Sequence, residues 1–153
     1  MTGILEQPLT KALSIDEVAT TLIVDDDEHD RSMLADIVTS FKPAIAPRQF
    51  GNGLELMQYL SYLSEDYFPK LIFLDLRMPI WDGIRTLKAL ESEPKYAHIK
   101  VYIVSQSDTP HEVALSIRSG AKDFIVKPTT ESQAVPFTER IRSIVEQTTS
   151  VMA

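Results

Sequence analysis

Five short apolar runs, Thr21–Val24, Ala44–Gln49, Leu71–Leu74, Val101–Val104 and Phe124–Val126, punctuate the chain, and a stretch of helical period follows each. Runs this short, rich in Val, Ile, Leu and Phe, suit strands better than buried helices. Strands that are apolar throughout are covered on both faces, and strands that alternate with helices run parallel. The first helix is expected over Glu28–Ser40, with Met33, Leu34, Ile37, Val38 and Phe41 on one stripe and Pro43 as its stop. A second is expected over Leu54–Ser64 and a third over Ile84–Glu91. The fourth opens at Pro110 and stops at Gly120. The fifth carries Phe137, Ile141, Ile144 and Val145 at helical spacing, and Pro136 either marks its start or kinks it.

Pro47 lies inside the second run, where it would remove a ladder donor, so that strand belongs at an edge. The expected architecture is therefore an α/β fold with a doubly wound, five-stranded parallel sheet in the flavodoxin-like order 2-1-3-4-5. At 153 residues, one core is expected: a loosely held tail over residues 1–19, a domain over 20–149 and a short tail over 150–153.

Composition narrows the chemistry. With 15 Lys+Arg against 22 Asp+Glu the formal charge is −7, which disfavours nonspecific nucleic-acid binding and suits a site that collects cations. The absence of cysteine excludes disulfides, a thiolate nucleophile and Cys-ligated metal sites. His29, His98 and His111 are too scattered for a histidine-rich metal site. No apolar run approaches the ~20 residues of a membrane span, and the first residues lack a basic leader and an apolar core. A cytoplasmic protein without membrane or direct nucleic-acid partners is expected.

In a sheet of this order, ligands bind beyond the carboxyl ends of the strands, where the strand order reverses. Asp25, Asp26, Asp27 and Glu28 follow the first run, Asp75 the third, Ser105 the fourth, and Lys127 and Pro128 the fifth. Carboxylates at Asp25 or Asp26 beside Asp75 repel one another unless a proton or a cation intervenes. An all-oxygen donor set points to a hard ion, and Mg²⁺ is expected because it needs one or two carboxylates and leaves room for water and a phosphate oxygen. The carbonyl of Arg77 is a further candidate ligand. Asp75 stands alone among acids at the end of its strand and is the candidate nucleophile, with Lys127 and Ser105 to balance charge on a transferred phosphoryl group. A cis bond before Pro128 would aim Lys127 into the crevice. No glycine-rich phosphate loop follows the first strand, which argues against a nucleotide site.

Together these segments resemble response-regulator receiver domains of two-component signalling: Leu22-Ile23-Val24-Asp25-Asp26-Asp27, Leu74-Asp75-Leu76-Arg77-Met78-Pro79 with Asp82-Gly83, Val104-Ser105, Gly120-Ala121 and Lys127-Pro128, from Thr21 to Thr148. The resemblance implies that Asp25 and Asp26 help bind Mg²⁺ and that Asp75 accepts a phosphoryl group from a sensor histidine kinase or histidine phosphotransfer protein. It also implies that Ser105 and Lys127 sense that group, that Phe124 is the switch aromatic, and that Arg77 and Ser107 tune its lifetime. The helix 4–strand 5–helix 5 face would then meet an unidentified downstream protein or a second copy. Such a module carries out self-phosphorylation and autodephosphorylation without being a turnover enzyme. Three departures stand out: Gln106 replaces a small residue, Arg77 puts a bulky cation at the mouth, and no effector domain follows the fifth helix, which suggests a stand-alone regulator or relay carrier.

Taken singly, each feature has an ordinary reading. Asp25–Glu28 is a plain acid-rich helix start, Asp75 a turn former, Ser105 and Lys127 surface residues, Phe124 core, and Asp82-Gly83 a common turn. Their arrival at one rim of one sheet is what favours a site. A haloacid-dehalogenase-like phosphatase would need a second acid two residues after the nucleophile, where Arg77 stands. An interaction module that ignores phosphorylation is the other alternative.

Overall fold

The computed structural model describes residues 20–42 and 46–150. Five parallel strands, β1 (Thr21–Val24), β2 (Arg48–Phe50), β3 (Leu71–Leu74), β4 (Lys100–Ser105) and β5 (Asp123–Val126), form one sheet in the order β2-β1-β3-β4-β5. The helices are α1 (Glu28–Phe41), α2 (Gly53–Tyr62), α3 (Gly83–Ser92), α4 (Pro110–Arg118) and α5 (Glu131–Ser150), with short 3₁₀ turns at Glu65–Tyr67 and Pro94–Tyr96.

Alternate residues of each central strand feed two cores, as the period of two requires. Leu22, Val24, Ile72, Leu74 and Ile103 face Leu56 and Leu60 of α2 and Leu87 and Leu90 of α3. Ile23, Leu71, Phe73, Val104 and Ile125 face Leu34 and Val38 of α1 and Phe137, Ile141 and Ile144 of α5. Covering both faces explains why β1 and β3 are apolar at every position. Helix α4 is packed differently, since Ser116 is its only buried residue.

Two expectations about the elements need correction. The second strand is Arg48–Phe50, not Ala44–Gln49; Pro47 precedes it, and Ala44 and Ile45 lie outside the described residues. The strand is still an edge, because among the described residues it pairs with β1 alone, and its Arg48 and Gln49 are exposed as on a sheet margin. The fifth helix begins at Glu131, so of the two readings of Pro136 the helix start fails and a place within the helix holds. Its ring faces solvent, so the helix accommodates it without intruding on the core through Phe137 and Ile141. The expected tail over residues 1–19 and all but Ser150 of the expected tail over 150–153 lie outside the described residues. No helix among the described residues is long and apolar enough to cross a membrane.

Candidate functional site

The strand ladder continues one residue past β1 and β3 and thereby fixes the backbone of two acids. Asp25 N–H donates to the Phe50 carbonyl at 3.0 Å and Asp75 N–H to the Val24 carbonyl at 2.9 Å. On the other side of the rim, Lys127 N–H donates to the carbonyl of Ser105 at 2.8 Å, one residue beyond β5. Their side chains therefore leave the sheet from rigid positions. Asp25, Asp75, Ser105 and Lys127 are all buried, whereas Asp26 is exposed.

One carboxylate oxygen each from Asp25, Asp26 and Asp75 lies within 4.8 Å of the others. Lys127 Nζ closes the cluster at 2.7 Å from Asp25 Oδ2, 2.8 Å from Asp30 Oδ2 and 3.6 Å from Asp75 Oδ2. Burial opposes the ammonium charge, but the hydrogen bonds to Asp25 and Asp30 outweigh it and hold Lys127 protonated, above its ordinary range. Asp75 behaves oppositely. Burial, and next the charge of Asp25, push its carboxyl up to about 7, although Lys127 and the 2.8 Å hydrogen bond from Leu76 N–H pull the other way. The carboxyl groups thus outnumber the one ammonium at their centre, a surplus that an added hard cation relieves, and the donor set is all oxygen.

These residues border a cleft of about 380 Å³ lined by Asp26, Asp27, Asp30, Asp75, Arg77, Ser105, Gln106, Ser107 and Lys127. Arg77 and Ser107 face each other across its mouth: Arg77 Nη2 lies 3.4 Å from Ser107 Oγ and also pairs with Glu112 on α4. Glu112 Oε1 accepts from Ser107 Oγ at 2.7 Å and from Thr109 Oγ1 at 3.1 Å. The hydroxyl of Ser107, then those of Thr109 and the guanidinium, hold its carboxyl below the ordinary range against desolvation. Phe124 is half-buried against the core on the α2–α3 side of the sheet.

The structure thus gathers Asp26, Asp75, Ser105, Lys127, Arg77 and Ser107 around one cleft, and Asp25 joins them through Lys127. The Lys127–Pro128 peptide bond is trans, not cis, and the ammonium still reaches the carboxylates, because the β4–β5 ladder already orients Lys127. His29, His98 and His111 are exposed, and none belongs to the carboxylate cluster.

Four residues were not legible as part of the site. Asp30, in the first turn of α1, shares Lys127 with Asp25. Arg31 donates through Nη1 to the Asp25 carbonyl at 2.7 Å. Glu112 is readable as the acid of a capping box that begins at Thr109, whose Oγ1 accepts from Glu112 N–H at 3.2 Å; its pairing with Arg77 is not. Gly83, read as an ordinary turn residue, has a closer duty. A Cβ there would lie 2.4 Å from the Asp75 carbonyl oxygen, and its N–H donates to the Leu76 carbonyl at 2.8 Å, so only glycine lets α3 start against the backbone of Asp75.

The doubly wound sheet brings three acids, a hydroxyl and a lysine to its carboxyl rim, and comparison with known proteins places the chain in a defined family. Residues 21–137 match the response regulator receiver domain, and the chain belongs to that family. It is 34% identical over 114 residues to the chemotaxis protein CheY of Thermotoga maritima, covering 74% of this chain and 89% of that protein. It is 31% identical over 107 residues to the probable C4-dicarboxylate response regulator DctR of Bacillus subtilis, which is 70% of this chain but only 45% of DctR. Among solved structures, the phosphorylated cyanobacterial phytochrome response regulator RcpA superposes with a TM-score of 0.73 at 23% identity, over 87% of this chain and 96% of that one. A chain of the CheX–CheY–BeF3–Mg complex from Borrelia burgdorferi superposes with a TM-score of 0.64 at 26% identity, over 80% of this chain and 88% of that one.

Proposed function

We propose that this receiver domain is a Mg²⁺-dependent phosphoacceptor whose nucleophile is Asp75. The observation that carries the reading is the buried carboxyl of Asp75 held 3.6 Å from the Lys127 ammonium, with carboxylate oxygens of Asp25 and Asp26 close by. Asp25, Asp26 and Asp75, with the Arg77 carbonyl as a further oxygen, are the residues that would hold the ion. When bound, Mg²⁺ supplies positive charge for the nucleophile and for the transferred oxygens.

In the transfer, an oxygen of Asp75 bonds to phosphorus as the bond from phosphorus to the donor's imidazole nitrogen breaks, and the imidazole leaves with its electron pair. Lys127 and the Ser105 hydroxyl lie along the cleft, where charge develops on the phosphoryl oxygens. Hydrolysis of the resulting acyl phosphate resets the site, with Arg77 and Ser107 at the mouth governing water's approach. The donor is a sensor histidine kinase or a histidine phosphotransfer protein. Inward movement of Ser105, with Phe124 changing rotamer, then biases the α4–β5–α5 face toward a downstream protein or a second copy. The module signals and does not turn over substrate; its place of action is the cytoplasm.

Incubation with Mg²⁺ and acetyl phosphate or phosphoramidate, followed by mass spectrometry, tests this. One added phosphoryl group, absent in Asp75→Asn, is expected; no labelling by either donor, or equal labelling of the variant, defeats the assignment.

A further inference from the structure

The Arg77–Glu112 pair ties two segments that the sheet leaves independent. Arg77 belongs to the loop after β3, two residues from Asp75; Glu112 belongs to the first turn of α4. The Arg77 side chain is largely exposed, at 71%, so its reorientation meets little packing. Glu112 is less exposed and is held by two other donors, the hydroxyls of Ser107 and Thr109. It also sits at the start of a helix, whose dipole favours a carboxylate. If Arg77 leaves, Glu112 keeps three sources of stabilisation and no buried charge is orphaned.

From this arrangement we infer that Arg77 is an exchangeable latch: it pairs with Glu112 while Asp75 is free and passes to the phosphoryl oxygens when Asp75 is phosphorylated. The inference rests on the reading of Asp75 as phosphoacceptor. Arg77 lines the same cleft as Asp75, Ser105 and Lys127. A phosphoryl group offers three acceptor oxygens and close to two negative charges, against the single charge of Glu112, and a guanidinium fork suits it well. The exchange removes the tie that joins the β3–α3 loop to α4. Glu112 is therefore a positioning residue: it competes for Arg77 and sets how readily the pocket accepts an anion. Because α4 buries only Ser116, releasing that tie frees a helix with few other anchors on the sheet.

Titration calorimetry of the full chain with beryllofluoride in excess Mg²⁺ tests this through a double-mutant cycle. Glu112→Gln keeps the length of the side chain and its acceptor for Thr109, but abolishes the charge that holds Arg77. It is expected to tighten beryllofluoride binding by roughly threefold or more, the scale of one exposed ion pair. Arg77→Ala is expected to weaken binding, and in that background Glu112→Gln is expected to change nothing. A purely structural role of Glu112 in capping α4 gives the same effect with and without Arg77, and that additive result overturns the latch. Thermal melts of the four proteins confirm that each is folded. Should the parent chain bind no beryllofluoride while folded, the phosphoacceptor reading falls and the latch with it; binding by the parent with an additive cycle sinks the latch alone.

Discussion

Lys127 Nζ lies 2.7 Å from Asp25 Oδ2 and 3.6 Å from Asp75 Oδ2, so one ammonium serves two buried carboxyl groups and is bonded tightly to only one of them. The looser contact is to the proposed nucleophile. Asp75 therefore keeps an oxygen that is attracted to the lysine without being consumed by it.

Removing that ammonium leaves buried charge without a partner. Lys127→Met is expected to lower stability by about 3 kcal/mol in the absence of divalent cation, measured by urea denaturation. Adding Mg²⁺, or combining the change with Asp25→Asn, is expected to recover part of the loss. A variant as stable as the parent in EDTA would show that the cluster is not held together by this charge.

The elevated carboxyl of Asp75 makes cation-free stability depend on pH. Its folded value, about 7, lies above that of an unfolded aspartate. Its contribution is fully present below about pH 4 and is lost as pH rises through about 7. In EDTA, Asp75→Asn should therefore be more stabilising at pH 8 than at pH 5, by about 2 kcal/mol. Equal effects at the two pH values contradict the assignment. Mg²⁺ should shrink the difference, because it favours the ionised carboxyl in the parent.

Gly83→Ala puts a methyl group against the Asp75 carbonyl, where a Cβ would stand at 2.4 Å. The start of α3 and the β3–α3 loop must then shift, at an expected cost of about 2 kcal/mol, with slower labelling by acetyl phosphate. Thermal denaturation and a labelling time course read the two effects separately. Unchanged labelling would show that the position of Asp75 does not depend on this packing.

Ile80 holds a positive φ of 69° while 66% exposed, an unfavourable backbone for a β-branched residue and a poor place for an apolar side chain. Ile80→Gly or Ile80→Asn is expected to raise stability by about 1 kcal/mol and to leave labelling of Asp75 by small donors intact. A loss of stability in both variants would mean that the side chain has packing worth more than the strain.

Much of this molecule was readable because strand ends announce themselves. The apolar runs at Thr21–Val24 and Leu71–Leu74 stop where Asp25 and Asp75 begin, so apolar side chains give way to carboxylates at one residue while burial continues. The edge strand was harder: Arg48–Phe50 is short, partly exposed and paired with β1 alone among the described residues, so the apolar residues upstream drew its expected start too early, while Pro47 still marked it as an edge. Local rules left Pro136 undecided between a helix start and a position within the helix, and packing along the helix through Phe137, Ile141 and Ile144 is what accommodates a solvent-facing proline inside it. Contacts between distant segments were the least accessible. Asp30 with Lys127, and Arg77 with Glu112, join polar residues that no periodicity links. Gly83 was visible, yet its reason lies in the backbone it touches rather than in the turn it begins.

Helix α4 enters the fold through a lone buried serine, while its neighbours α3 and α5 drive rows of leucine, isoleucine and phenylalanine into the sheet. Mechanical compliance is therefore unevenly distributed around the barrel-less rim. A disturbance at the pocket meets stiff walls on most sides and one soft hinge, and hydrogen exchange along residues 110–118 should run ahead of the other four helices.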